Sequence, residues 1–185
     1  LTASGGNIIQ SQVFNASSGT VNLSIPDNIS TGVNNSLAVS GIPGTATIDS
    51  VIVTFNMTHE FSGDAEVNLE APNGQIINLM ADRGGISTAG FVNTRVTSDV
   101  SKPAFSSGSS PFTGTFRADA TAQVNLIGSP SVTTSTFSNL FGTSNGNWTI
   151  RAYDDANGEV GVLSNWSIKI AYTNNIPASF TWSPA

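Results

Sequence analysis

The sequence predicts an all-β domain of the sandwich or barrel kind, and three observations carry that prediction. Ser, Thr and Asn account for 65 of the 185 residues, and these side chains compete for backbone hydrogen bonds in ways that disfavour helices. From Val21 onward, short apolar alternations recur at intervals of about ten residues, the spacing of short strands. Gly, Asn, Asp and Pro separate them, which is turn chemistry. Long helices, a coiled coil and a helical bundle are excluded on these grounds. With 38% hydrophobic residues and a net charge of only −6, so is disorder.

Taken in order, residues 1–19 are rich in Gly, Ser and Asn and read as a leader or linker with one short strand at Ile8–Phe14. The sandwich itself is expected over 20–173. Val51, Val53, Phe55 and Met57 alternate on one face of a strand. Ala65, Val67 and Leu69 alternate with Glu66, Asn68 and Glu70, which predicts a strand with one wet face. Pro72-Asn73-Gly74 turns the chain back into Ile76–Met80, a hairpin. The stretch from Asp82 to Gly114 is Gly- and Ser-rich and weakly periodic, and a loop of that length calls for a function or another parsing. Trp148, Ile150 and Ala152 share one face, and so do Trp166, Ile168 and Ile170. Residues 174–185 read as a linker and the start of a following domain. Leu1 begins neither like an initiator Met nor like a charged-then-apolar leader, so the chain is expected to be cut from a longer, secreted or cell-surface protein.

Composition removes several function classes. Six Lys and Arg spread over the chain leave no basic patch for phosphates, so no nucleic-acid partner is expected. No apolar run reaches the roughly 18 residues of a membrane helix, so no membrane insertion is expected. Cys is absent, and the only His is His59. A Ser-His-Asp triad would have to use it. His59-Glu60 lacks the second His of a zinc-protease helix, position 63 being Gly. Glu66 and Glu70 share a strand face but stand roughly 13 Å apart, too far for a glycosidase pair. The chain is therefore expected to be no enzyme by itself. Trp148 and Trp166 fall in inward phase and read as core. Trp182 and Tyr153 are freer, and Tyr153 is a candidate for stacking on a sugar.

One cluster points to a metal. Asp154, Asp155, Asn157 and Glu159 crowd a single turn. Three like charges so close repel one another, and a hard cation such as Ca2+ takes oxygens of this kind. The alternative is a solvated hairpin turn with Asn157-Gly158 at its tip. An EF-hand is excluded, because the Glu at loop position 12 is missing.

Several motifs stand in register with a known family: Ile25-Pro26-Asp27-Asn28, His59 with Gly63-Asp64, Pro72-Asn73-Gly74, Pro111-Phe112-x-Gly114-x-Phe116, Asn145-Gly146-x-Trp148-Thr149, Asp154 with Gly158-Glu159-x-Gly161, and Trp166-Ser167-Ile168. In that order, from Val21 to Tyr172, the chain resembles the P domain of proprotein convertases in its bacterial form. The family commonly has Leu where Ala65 stands and Asp where Glu159 stands. The resemblance implies a jelly-roll β-sandwich of eight or nine mainly antiparallel strands that binds calcium. It also implies adjacent domains in the same chain, either a subtilisin-like or zinc protease that the domain assists or Ig-like modules of an adhesin-like array that it spaces. A second calcium group, Asp64, Asp82 and Asp99, leans on the same resemblance and would order the long middle stretch, with Asp119 a weaker candidate. Against it, Asp82 has Arg83 and Arg95 as partners, and Asp99 has a turn to cap. The alternative function is a carbohydrate-binding or adhesive jelly roll in which calcium is structural.

Overall fold

The computed structural model describes residues 6–29, 31–120 and 132–177. These form ten strands: β1 (Asn7–Ser17), β2 (Leu23–Ile25), β3 (Val33–Val39), β4 (Thr47–His59), β5 (Ala65–Glu70), β6 (Ile76–Ala81), β7 (Phe91–Thr97), β8 (Phe112–Arg117), β9 (Gly146–Asp154) and β10 (Gly161–Pro177). One sheet runs β1-β10-β4-β7-β8, with β2 also on β10; the other runs β3-β9-β5-β6. Every pairing is antiparallel except β7 with β8. The all-β sandwich is as expected, with ten strands among the described residues rather than eight or nine.

Alternation builds the core between the sheets. Val51, Val53, Phe55 and Met57 of β4 lie beside Trp166, Ile168 and Ile170 of β10 on the inner face of one sheet, and Trp148, Ile150 and Ala152 of β9 close the core from the other sheet. Each buried indole keeps a partner for its N–H. Trp148 donates to Ser144 O at 2.9 Å, and Trp166 donates to Asn35 Oδ1 at 2.8 Å. Asn145 clamps a neighbouring loop, accepting from Ile42 N–H and donating to Ile42 O. Gly146 takes a φ of +127°, and a Cβ there would sit 2.8 Å from the Pro72 side chain, so that turn needs glycine.

Two expectations change. Asn7–Ser17, inside the segment read as a leader, is a long strand paired with β10 along its whole length, down to Asn7 opposite Pro177. The Asp82–Gly114 stretch is not one irregular loop. It holds β7, a central strand, and is anchored by rings. Phe91 stacks on Phe112 at 5.2 Å between centroids, Phe105 stacks on Phe116 at 4.5 Å, and Phe105 meets Phe112 edge-on at 5.7 Å. This ring packing ties the region to the core.

Candidate metal centre

The four-stranded sheet brings the start of β5, the end of β6 and the end of β9 to the same edge of the sandwich. The register fixes this: Ala65 lies opposite Asp154, and Glu66 lies between Tyr153 on one side and Ala81 on the other. Asp82 and Asp155 are the next residues out. Asp155 N–H donates to Asp64 O at 3.1 Å, and Asp82 N–H donates to Ala65 O at 3.3 Å. Asp82 adopts a left-handed φ of +52°, a conformation Asp tolerates better than most residues. As a result, carboxylate oxygens of Glu66, Asp82 and Asp155 lie within 4.8 Å of one another.

The members differ in exposure. Asp82 is at the surface and Asp155 is half-buried, while Glu66 has no exposed surface at all. The Tyr153 hydroxyl donates to Glu66 Oε2. Oε1, equally buried, has no hydrogen-bond partner. A carboxylate held this way is costly to ionise. Burial, and after it the charges of Asp82 and Asp155, push Glu66 up to about 8 against the pull of the Tyr153 hydrogen bond. Burial, then Asp82, Asp64 and Asp154, push Asp155 up to about 6. Asp82 is raised as well, by burial first, with Arg83 opposing and Asp64 and Asp119 adding to it. The Tyr153 hydroxyl is raised by burial and by Glu66. All three acids are thus raised by burial and mutual repulsion, and a cation among them would relieve that repulsion and favour their ionised forms.

The chemistry of the set fits a hard ion. Every converging donor is a carboxylate oxygen, each able to bind through one oxygen or two, and neither His nor Cys joins them. That is a calcium-type donor set rather than a zinc one. Glu66 Oε1 is the oxygen with most to gain, since an ion would supply its missing partner.

The sequence-based candidates separate accordingly. Asp82 and Asp155 are in the converging group. Asp64 lies beside it, close enough to raise both. Asp154 turns away and meets His59, Nε2 to Oδ2 at 3.1 Å, while Ala156 N–H donates to its Oδ1 at 2.9 Å. Asn157 is exposed at the tip of the turn and Glu159 is half-buried. The tip is held from outside, by Gly158 N–H donating to Asp27 Oδ1 at 2.8 Å. Asp99 accepts from Ser101 N–H at 2.9 Å and faces Lys102 at 3.6 Å, the turn cap weighed against the metal role. Asp119 forms a two-bond pair with Arg83, at 2.9 and 3.0 Å. Asp64, Asp82 and Asp99 do not form one group of three.

Two readings are corrected. The polar face of β5 is not wet, because Glu66 and Asn68 are both buried. Alternation identifies that face as polar, but it cannot say whether water or loops cover it. This is why Glu66 was missed as a candidate. Tyr153 is not free to stack on a sugar; it is 1% exposed, with its hydroxyl on Glu66. Trp182 lies outside the described residues.

Residues 48–109, spanning β4 to the segment before β8, match the family model described as the proprotein convertase P-domain. That stretch belongs to the P-domain family. It contains Glu66 and Asp82; Asp155 lies beyond it. A curated relative, leupeptin-inactivating enzyme 1 of Streptomyces exfoliatus, is 26% identical over 149 residues, which are 80% of this chain and 24% of that protein. The chain therefore spans about a quarter of the length of this relative. Among solved structures, the serine protease of Aeromonas sobria is similar, both in complex with the chaperone ORF2 and without it. The likeness covers 92% of this chain and 28% of the protease chain at 14% identity, with TM-scores of 0.47 and 0.46.

Proposed function

We propose that this chain is a non-catalytic P domain that binds Ca2+ through Glu66, Asp82 and Asp155 and acts on a protease domain of the same secreted or cell-surface bacterial protein. The observation that carries the calcium reading is the meeting of three carboxylates within 4.8 Å around a buried Glu66 with an unpartnered oxygen. The protease reading is supported by the P-domain match and by a relative named as an enzyme, three quarters of which lies outside the aligned part.

The mechanism is linkage. An ion that binds only the folded chain stabilises it by an amount set by free calcium over the dissociation constant, about 2.7 kcal/mol at a hundredfold excess. The ion would join the start of β5 to the exits of β6 and β9, so an end of the sandwich lined by mutually repelling acids becomes rigid. In an extracellular calcium concentration, a neighbouring catalytic domain would then rest on a stiff support.

Thermal unfolding of the chain in millimolar calcium and in chelator tests this, with calorimetric titration giving the stoichiometry. A rise in the midpoint of several degrees is expected, and Glu66→Gln should remove it. Superimposed curves would sink the calcium reading.

A further inference from the structure

β1 is an edge strand without the usual protection. It ends the sheet order and pairs only with β10 among the described strands. Edge strands are normally blunted by charge, proline, a bulge or brevity. β1 is eleven residues long, carries no charged residue and no proline, and pairs in one uninterrupted register. Its apolar side chains are open to water: Ile8 is 54% exposed, Ile9 70% and Val13 50%.

The sequence of this strand is a palindrome in chemical character about Ser11. Asn7 mirrors Asn15, Ile8 mirrors Phe14, Ile9 mirrors Val13, and Gln10 mirrors Gln12. A strand with this symmetry is complementary to an antiparallel copy of itself. We propose that β1 pairs with β1 of a second copy of this chain about a two-fold axis at Ser11, joining two six-stranded sheets into one.

The backbone permits that register. Ser18 N–H donates to Trp166 O at 2.9 Å, continuing the register in which Ser17 lies opposite Ser167. In an antiparallel ladder the residues that bond the neighbour alternate, so the even residues of β1 face β10. The odd ones, Asn7 through Ser17, direct N–H and C=O outward. A two-fold axis at Ser11 pairs odd residues only with odd ones: Ser11 with itself, Ile9 with Val13, Asn7 with Asn15. Every pair that must exchange hydrogen bonds then has outward-facing groups on both sides. The even pairs, Ile8 with Phe14 and Gln10 with Gln12, become the closer non-bonded pairs. Both exposed isoleucines gain a bulky apolar partner, and no charge is buried.

The contact is small. Nine residues a side fall short of the roughly 20–30 of a standard interface, so the dimer should be reversible and concentration-dependent. Sedimentation of the 185-residue chain from low micromolar to about 1 mM, a range suited to weak contacts, should show a monomer–dimer equilibrium. Ser11→Lys, which sets two ammonium groups opposite each other at an exposed position, should abolish it without changing the melting temperature. Because the chain has no Cys, register can be read with single thiols. Ser11→Cys should give a disulfide dimer on mild oxidation. Asn15→Cys should not, but mixed with Asn7→Cys it should give a heterodimer. A monomer throughout with fast-exchanging amides at Ile9, Ser11 and Val13 overturns the proposal. A monomer with those amides protected also overturns it, in favour of a segment of the same chain on that edge. A dimer indifferent to Ser11→Lys places the interface elsewhere and overturns it too.

Discussion

His59 Nε2 lies 3.1 Å from Asp154 Oδ2 with both side chains wholly buried, and this contact joins the end of β4 in one sheet to the end of β9 in the other. The other ring nitrogen, Nδ1, is 2.7 Å from Phe61 O, a separation that requires a hydrogen on Nδ1. Both ring nitrogens therefore face oxygen atoms. Burial, with Asp64 and Asp27 adding, raises Asp154 against the pull of the Ala156 N–H and of His59.

His59→Ala leaves the Asp154 carboxylate buried opposite a cavity. Breaking a buried pair from one side costs about 3–5 kcal/mol, and the loss should appear as a lower urea midpoint at pH 7. Asp154→Asn, which removes the charge but keeps an acceptor for Ala156, should cost less than His59→Ala. The reverse order would mean that the Asp154 charge itself, rather than the burial of an unpaired carboxylate, sets the cost. Gly161→Ala should reach the same dyad from the other strand, since a Cβ there would fall 2.4 Å from His59 Cδ2.

The acids of the candidate site give the ion-free domain an inverted pH profile. Glu66 moves from 4.5 to about 8 and Asp155 from 3.8 to about 6 on folding. A carboxyl raised on folding contributes its full stability below its unfolded value and loses it as pH rises through the folded one. In chelator, unfolding free energy should therefore fall between pH 4 and pH 8. At about 1.4 kcal/mol per unit, the Glu66 part is on the order of 5 kcal/mol. Glu66→Gln should flatten most of the fall. Calcium takes the ionised form, so in its presence the fall should largely disappear and affinity should rise over the same window. A chelated domain that gains stability from pH 5 to 8 contradicts this account.

The reading of the sequence succeeded where period alone decides. The inward faces of β4, β9 and β10 follow directly from alternation, and the β5–β6 hairpin follows from Pro72-Asn73-Gly74. It fell short where a third layer matters. Glu66 has the phase of a solvent-facing residue and is nevertheless wholly buried, with the Tyr153 hydroxyl on its carboxylate. Phe91, Phe105, Phe112 and Phe116 are too irregularly spaced to suggest one cluster, yet they meet in space. Asp154 and Asp155 are neighbours in sequence, but strand alternation sends one to His59 and the other to Glu66 and Asp82.

That divergence can be tested by substituting acids one at a time and reading only the calcium-dependent rise in melting temperature. Asp155→Asn and Asp82→Asn should each remove most of the rise, because each deletes a converging carboxylate. Asp99→Asn should leave it intact, since Asp99 is an exposed turn cap beside Lys102. A rise that survives Asp155→Asn but vanishes with Asp99→Asn would move the ion to the other end of the β7–β8 connection.

The aromatic anchor of the middle stretch makes the last prediction. Phe112 touches Phe91, Phe105 and Phe116, so it ties β8 to β7 and to the short turn at Phe105–Ser107. Truncating a buried phenylalanine costs about 3–5 kcal/mol. Phe112→Ala should therefore lower global stability by that order and also loosen this region first, because among the described strands β8 has only β7 as a sheet partner. Brief trypsin treatment under native conditions should cut at Arg95 or Arg117 in the variant well before the wild-type chain is cut. Phe112→Leu, which keeps most of the volume, should restore much of the resistance. If instead a cation held the stretch, calcium would protect Phe112→Ala as fully as wild type. A variant that stays more sensitive than wild type even in saturating calcium is the outcome that the ring cluster requires.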